Sequence, residues 1–296
     1  CFFELIRREI FTKEELDVPA DYFREFGENN PKEIQLIGLQ HINLKQASEE
    51  IRKQLQTQQV ATPTYQEDQV HHDISDVEFV HLHNHTQFSV LQSTISVKDL
   101  VTAAVQNKMP AVAMTDHANL MGAFHFVRDI ISHNKSAQAK NKQAEENGEN
   151  PTETIVKPIV GCEFYVCDDL KDKSRKDNGY QIVFLAKTKK GYHNLAKLSS
   201  IAYTEGFYYV PRIDKKVIQE YKEDIIVLSG NLYGEIPSKV LNIGENQAEE
   251  ALIWWKAQFG EDFYIELMRH NQEDENRVNT SLIALAKKHD VKTVAT

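Results

Sequence analysis

The chain has 296 residues, 41% of them hydrophobic and 26% charged, enough for one large domain or two ordinary ones. Its formal net charge is −10, with 8 Lys and Arg against 15 Asp and Glu over residues 1–77 and 26 against 29 over residues 78–296. Neither part is the basic surface that captures phosphate backbones by counterion release.

Three cysteines, Cys1, Cys162 and Cys167, have no zinc-finger spacing and suit reduced thiols in a cytoplasmic protein. No apolar run approaches the roughly 18 residues needed to cross a bilayer, and no signal peptide is visible, which predicts a soluble chain with no membrane partner. The chain opens on Cys1 rather than methionine, which predicts a piece of something longer.

Taken in order, Phe2, Leu5, Ile6 and Ile10 fall near helical spacing, as the end of an amphipathic helix whose partners lie upstream. Further helices are expected over about 19–27 and 42–57, and residues 1–55 read together as the helical tail of an upstream domain. Residues 56–77 are Gln-rich and acidic with almost no apolar pattern, and read as a linker; the pair His71 and His72 belongs to it.

At residue 78 the texture changes to repeated strand and helix signals. Phe79–Val80–His81–Leu82–His83–Asn84–His85 reads as a strand, which would put His81, His83 and His85 on one face. Residues two apart on one strand face stand about 6 to 7 Å apart, close enough for two imidazoles to share one metal ion. A helix over 97–106 with Ser96 as N-cap follows, then a strand at 111–114 running into Thr115–Asp116–His117. In a barrel of alternating strands and helices, the C-terminal ends of the strands are where sites are built.

A helix is expected over about 120–133, and 134–154 reads as an exposed insertion or mobile loop. The strand region 155–166 holds Glu163 in an apolar run, so Glu163 is either a ligand or sits at a wet strand end. A strand at 181–186, a basic turn at 187–191 and a helix over 192–202 come next. Phe207, Tyr208 and Tyr209 could stack on nucleic acid, but core packed under a loop is the commoner arrangement. Strands at 225–228 and 263–267, the latter with Glu266 as its sole charge, alternate with helices near 234–242, 246–259 and 275–288, and 291–296 reads as another strand. Six or seven strands alternating with helices predict a parallel βα barrel.

Several ordered motifs carry a specific resemblance. His81–Leu82–His83–Asn84–His85–Thr86 with Ser89, Met114–Thr115–Asp116–His117, Pro158–Ile159–Val160–Gly161–Cys162–Glu163, Pro211–Arg212–Ile213–Asp214 and Leu228–Ser229–Gly230–Asn231 resemble the polymerase and histidinol phosphatase (PHP) domain. The form they are most similar to stands at the front of the bacterial replicative DNA polymerase III alpha subunit, and the match covers about 78–296. Residues before it resemble the end of a fused epsilon-type 3′–5′ exonuclease.

The resemblance implies an α/β fold, a distorted (β/α)7 barrel of PHP type preceded by the helical tail and linker and cut short at its C-terminal end. Active members of the family hold about three divalent ions and hydrolyse phosphoesters; imidazole and carboxylate suit zinc or manganese. Carried over residue by residue, His83 and His85 match the first ligand pair, His117 the next histidine and Glu163 the bridging carboxylate. Three positions depart: Gln92, Gln181 and Asn231 stand where relatives have Asp, His or Cys, and the family's final Asp-x-His would fall past Thr296. Neutral amides bind transition metals far more weakly than imidazole or carboxylate.

The expectation is therefore a worn phosphoesterase kept as a structural and docking module, with partial occupancy by Zn or Mn and none essential to the segment. The alternatives are a residual metal-dependent 3′–5′ exonuclease or pyrophosphatase, or a stand-alone phosphatase of the histidinol phosphate type. For the parent chain the resemblance implies a DNA-directed DNA polymerase using Mg. Its partners would be the rest of the alpha subunit, a proofreading exonuclease, DNA and the sliding clamp.

Overall fold

The computed structural model describes residues 77–296 except residue 271. The chain divides into two units, residues 1–73 and 74–296, and all described residues belong to the second. The expected tail over 1–55, the linker over 56–77 apart from its last residue, and His71 and His72 lie outside the described residues.

The elements run α1 (Val97–Gln106), β1 (Ala111–Met114), α2 (Ala123–Glu146), β2 (Lys157–Cys167), β3 (Tyr180–Ala186), α3 (Lys189–Thr204), β4 (Arg212–Asp214), α4 (Lys215–Tyr221), β5 (Ile225–Leu228), α5 (Glu235–Asn242), α6 (Glu245–Phe259), β6 (Phe263–Leu267), α7 (Glu273–His289) and β7 (Lys292–Ala295). The seven strands form one sheet in the order β1-β2-β3-β5-β6-β7, with β4 paired to β2. This is a curled α/β sheet with helices on its outer side, the distorted PHP-type barrel that the sequence predicts.

The expectation of parallel pairing throughout needs correction, because β3 runs antiparallel to both β2 and β5 while the other pairs are parallel. A parallel neighbour requires a crossover, usually a helix. Residues 168–179, which join β2 to β3, contain none, so the chain turns straight back.

Strand periodicity sorts the core into two layers. Phe164, Phe184, Val227 and Phe263 face outward, where they pack with Leu195 and Leu198 of α3 and Trp255 of α6. Trp255 stacks on Phe263 with ring centroids 6.2 Å apart. The opposite face carries a smaller inner cluster of Leu82, Ala113, Val183, Leu185, Leu228 and Val294. Glu163 pairs with Val183 and Tyr165 with Gln181 across β2 and β3, so all four share that inner face, above the apolar plug.

Several local expectations change. The run 79–85 forms no regular strand: the His81 and Asn84 carbonyls accept from Ala113 and Thr115 of the β1 segment, but the Asn84 side chain takes over other ladder positions, donating to the His81 and Ala113 carbonyls at 3.1 and 3.0 Å. Helix α2 runs on to Glu146, through most of the expected loop. Its polar half is held by asparagines. Asn134 exchanges two bonds with the Val156 backbone, and Asn141 bonds the backbone of Thr152 and Glu153. Most of the basic turn becomes the first turn of α3, capped by Thr188. Phe207 and Tyr209 are half or more exposed, at 50% and 62%, not packed as core.

Beyond the anticipated elements stand β4 and α4. Asp214 caps α4 through the Val217 amide at 2.9 Å. The neighbouring Arg212 is fully buried, and its guanidinium donates to the carbonyls of Gly206, Leu170, Asp172 and Asp177 at 2.9 to 3.2 Å. That one side chain ties the loop before β4 to the loop between β2 and β3.

Candidate metal centre

The centre is built where β1 gives way to β4 along one edge of β2. The β1–β2 ladder ends at Met114 paired with Val160, and β4 resumes at Arg212 opposite Tyr165. In the gap, His117 forms an isolated bridge with Glu163, so the segment leaving β1 lays an imidazole beside the carboxylate. From the other side, the segment before Thr86 delivers His83 and His85.

The four sequence candidates therefore meet. Glu163, fully buried, lies 3.3 Å from His83 Nε2, 3.1 Å from His85 Nε2 and 2.9 Å from His117 Nδ1. His83, His85 and Glu163 can offer ligand atoms within 4.8 Å of one another. His85 stacks on His117 with centroids 4.1 Å apart, and His117 in turn on Tyr165 at 5.5 Å. His81 stands outside the group, edge-on to Phe79 at 4.8 Å.

Outer contacts fix how the imidazoles face. His83 Nδ1 lies 2.9 Å from Glu266 Oε1. His85 Nδ1 lies 3.1 Å from Ser89 Oγ, which donates to the buried Asp116 at 2.7 Å. Asp116 also accepts from the Thr86 amide and hydroxyl at 2.6 and 2.7 Å, locking the histidine segment to the end of β1. A carboxylate can only accept, and a hydroxyl already donating to one must accept as well, so both Nδ1 atoms carry protons. Both Nε2 atoms then turn inward, 3.3 Å apart, toward Glu163.

Were both Nε2 atoms unprotonated, their lone pairs would face each other and a carboxylate, so the cluster draws in positive charge, as a proton or a cation. The electrostatics agree. Burial works against charging His83, yet Glu266 and Glu163 outweigh it and raise its pKa to about 10. Burial also works against ionising Glu163, and contacts with His117, His83 and His85 outweigh it, holding the pKa well below the usual carboxylate range. Both Glu163 oxygens, His117 Nδ1 and Glu266 Oε2 are buried without an aligned hydrogen bond. Orphaned buried acceptors beside inward imidazoles fit a divalent cation with His and carboxylate ligands. Zinc or manganese bound there would supply Lewis acidity toward a phosphoryl oxygen.

Among the described residues, none of the three departures hydrogen-bonds to His83, His85, His117 or Glu163. Asn231 Nδ2 donates to Gln181 Oε1 at 3.2 Å, and the Asn231 Oδ1 accepts from the Tyr233 amide at 2.8 Å. Gln92 Nε2 reaches only the Tyr165 hydroxyl, at 3.5 Å. Of the residues that the sequence reading named without a role at the site, Glu266, Ser89 and Asp116 matter most. Glu266 had a visible signal, a lone charge at an inward position of an apolar strand.

The PHP domain family model matches residues 81–270 of this chain. The chain belongs to the PHP domain family. More particularly, it is similar to DNA polymerase III subunit alpha of Aquifex aeolicus, 38% identical over 229 residues, covering 74% of this chain and 18% of the relative. It is likewise similar to the same subunit of Borreliella burgdorferi, 36% identical over 221 residues, 73% of this chain and 17% of the relative. The Thermus aquaticus subunit is 38% identical over 229 residues, 75% of this chain and 17% of the relative. The chain thus spans under a fifth of the length of these relatives. Among the described residues, no helix is long and apolar enough to cross a membrane.

Proposed function

We propose that this chain is the PHP module of a cytoplasmic DNA polymerase III alpha subunit. In this reading the barrel is mainly a structural and docking element that keeps a reduced cation site. DNA-directed synthesis with Mg, and contacts with DNA, a sliding clamp and a proofreading exonuclease, belong to the whole protein. The observation that carries the reading is the contrast between two groups of side chains. His83, His85, His117 and Glu163 converge around buried atoms without an aligned hydrogen bond, while the side-chain oxygens of Gln181 and Asn231 are already engaged. Such a site suits one zinc or manganese ion, not the three of an active phosphoesterase.

Metal analysis of the purified chain, paired with hydrolysis assays on single-stranded DNA and a phosphodiester model substrate, tests this. About one equivalent of metal or less, and no chelator-sensitive hydrolysis, is expected. Near three equivalents, with hydrolysis abolished by His83→Ala, would overturn it in favour of a working 3′–5′ exonuclease or related phosphoesterase.

A further inference from the structure

Glu266 is a carboxylate in a place that does not favour one. It is 1% exposed, on an apolar strand, and no Lys or Arg lies within ion-pair distance of it among the described residues. Burying an ionisable group this way costs free energy unless its contacts return it. Its contacts are directed at one thing. The backbone amide of Glu266 donates to Ser229 Oγ of the loop after β5 at 2.9 Å, fixing the β6 main chain. Thr296, just past β7, donates its hydroxyl to Oε1 at 2.6 Å, fixing the carboxylate. The same Oε1 faces His83 Nδ1 at 2.9 Å, across 183 positions of sequence.

We propose that Glu266 is a positioning residue for the cation site. It holds the Nδ1–H of His83, and so compels the other nitrogen, Nε2, to face Glu163 and His85 as a ligand. The two histidines of the pair are thereby held unequally. His83 is backed directly by a carboxylate, whereas His85 is backed by a neutral hydroxyl that passes the interaction on to Asp116. A carboxylate raises the basicity of the imidazole it supports more than a hydroxyl does. His83 is accordingly the stronger ligand of the two. This rests on the reading that the cluster takes a cation, but the contact itself does not require one.

Two measurements on the full chain test the proposal, and their failures are distinguishable. In metal-free protein labelled with 15N-histidine, long-range 1H–15N spectra should give His83 a protonated, slowly exchanging Nδ1. Glu266→Ala should lose that signal and Glu266→Gln, whose amide oxygen can still accept, should keep it. An unprotonated Nδ1 on wild-type His83 would overturn the proposal.

In parallel, Co2+ titration followed by the d–d absorption band should show binding about 10- to 100-fold weaker in Glu266→Ala, the usual cost of losing a carboxylate behind a metal-bound histidine. Glu266→Gln should fall between wild type and alanine, with metal-free melting curves confirming that each variant folds. Equal Co2+ affinity in wild type and Glu266→Ala would overturn the proposal. An intact Nδ1 signal with no Co2+ binding to wild type would refute the cation reading while upholding the Glu266 contact.

Discussion

Asn231 Nδ2 donates to Gln181 Oε1 at 3.2 Å, joining the loop after β5 to a residue near the start of β3. That bond occupies Gln181 Oε1, and the Tyr233 amide occupies Asn231 Oδ1 at 2.8 Å, so both oxygens that could face a cation are already engaged. If these positions limit metal uptake, restoring basic ligands should raise it. A Gln181→His, Asn231→His and Gln92→Asp triple variant is expected to bind more zinc or manganese per chain than wild type, by elemental analysis after dialysis. Equal metal content in the two proteins would show that the amides are not the limitation.

Glu163 is the anion around which three imidazoles gather. Removing one member of a buried charged pair leaves the others uncompensated, at a cost of about 3–5 kcal/mol. Glu163→Ala should lose stability on that scale at pH 7 in chelator-treated protein, by urea denaturation. A loss under about 1 kcal/mol, the range of exposed pairs, would mean that the cluster contributes little to the metal-free fold.

Glu235, at the start of α5, accepts from Lys215 and Lys239 at 2.8 Å each and from the Trp255 indole at 2.8 Å. Its burial favours the neutral acid, but the two ammonium groups outweigh burial and hold its pKa below the ordinary glutamate value. The folded value is the lower one, so the stabilisation is full above the unfolded pKa and is lost as pH falls through the folded pKa. The stability gap between wild type and Glu235→Gln should therefore be wide at pH 7 and narrow toward pH 3. A gap that does not change over that range would exclude the ion pairs as its source.

Gly161 lies two residues before Glu163 on β2. A methyl group there would meet Leu185 Cδ2 and the Phe184 carbonyl at 2.6 Å, and Thr115 Cγ2 at 2.9 Å. The Phe184 carbonyl is main chain and cannot swing aside. Gly161→Ala is expected to cost about 1–3 kcal/mol, the range for overpacking, and to weaken Co2+ binding by shifting Glu163. Unchanged melting temperature and unchanged Co2+ affinity together would refute this.

The barrel and the cluster were legible because their signals are local. Short apolar runs mark β3, β5 and β6, and His83, His85, His117 and Glu163 stand in short motifs that the family resemblance picks out. What escaped depends on partners distant in sequence. Nothing near Asn134 or Asn141 announces that they will bond residues 152–156, so the polar half of α2 resembles a loop until that returning backbone is seen. The direction of β3 depends on what residues 168–179 fail to form, and the role of Glu266 on a histidine 183 positions away. The exposure of Phe207 and Tyr209 was invisible for the same reason, since composition alone cannot say which side of a ring meets solvent.

Arg212 gives the mouth of the barrel an unusual kind of tolerance. Its guanidinium hydrogen-bonds carbonyl oxygens, those of Gly206, Leu170, Asp172 and Asp177, while lying 5.3 Å over the Tyr208 ring, and every amino acid supplies a carbonyl. The charged side chains of the stretch 168–179 that do not bond the loop's own backbone, such as Lys171 and Lys173, can therefore be exchanged through evolution without loosening the knot, whereas Asp169, Asp172 and Asp177 each accept a loop amide at 2.8 Å. Lysine in place of Arg212, having three donors on a single nitrogen instead of a planar fork, could not span four such distant anchors.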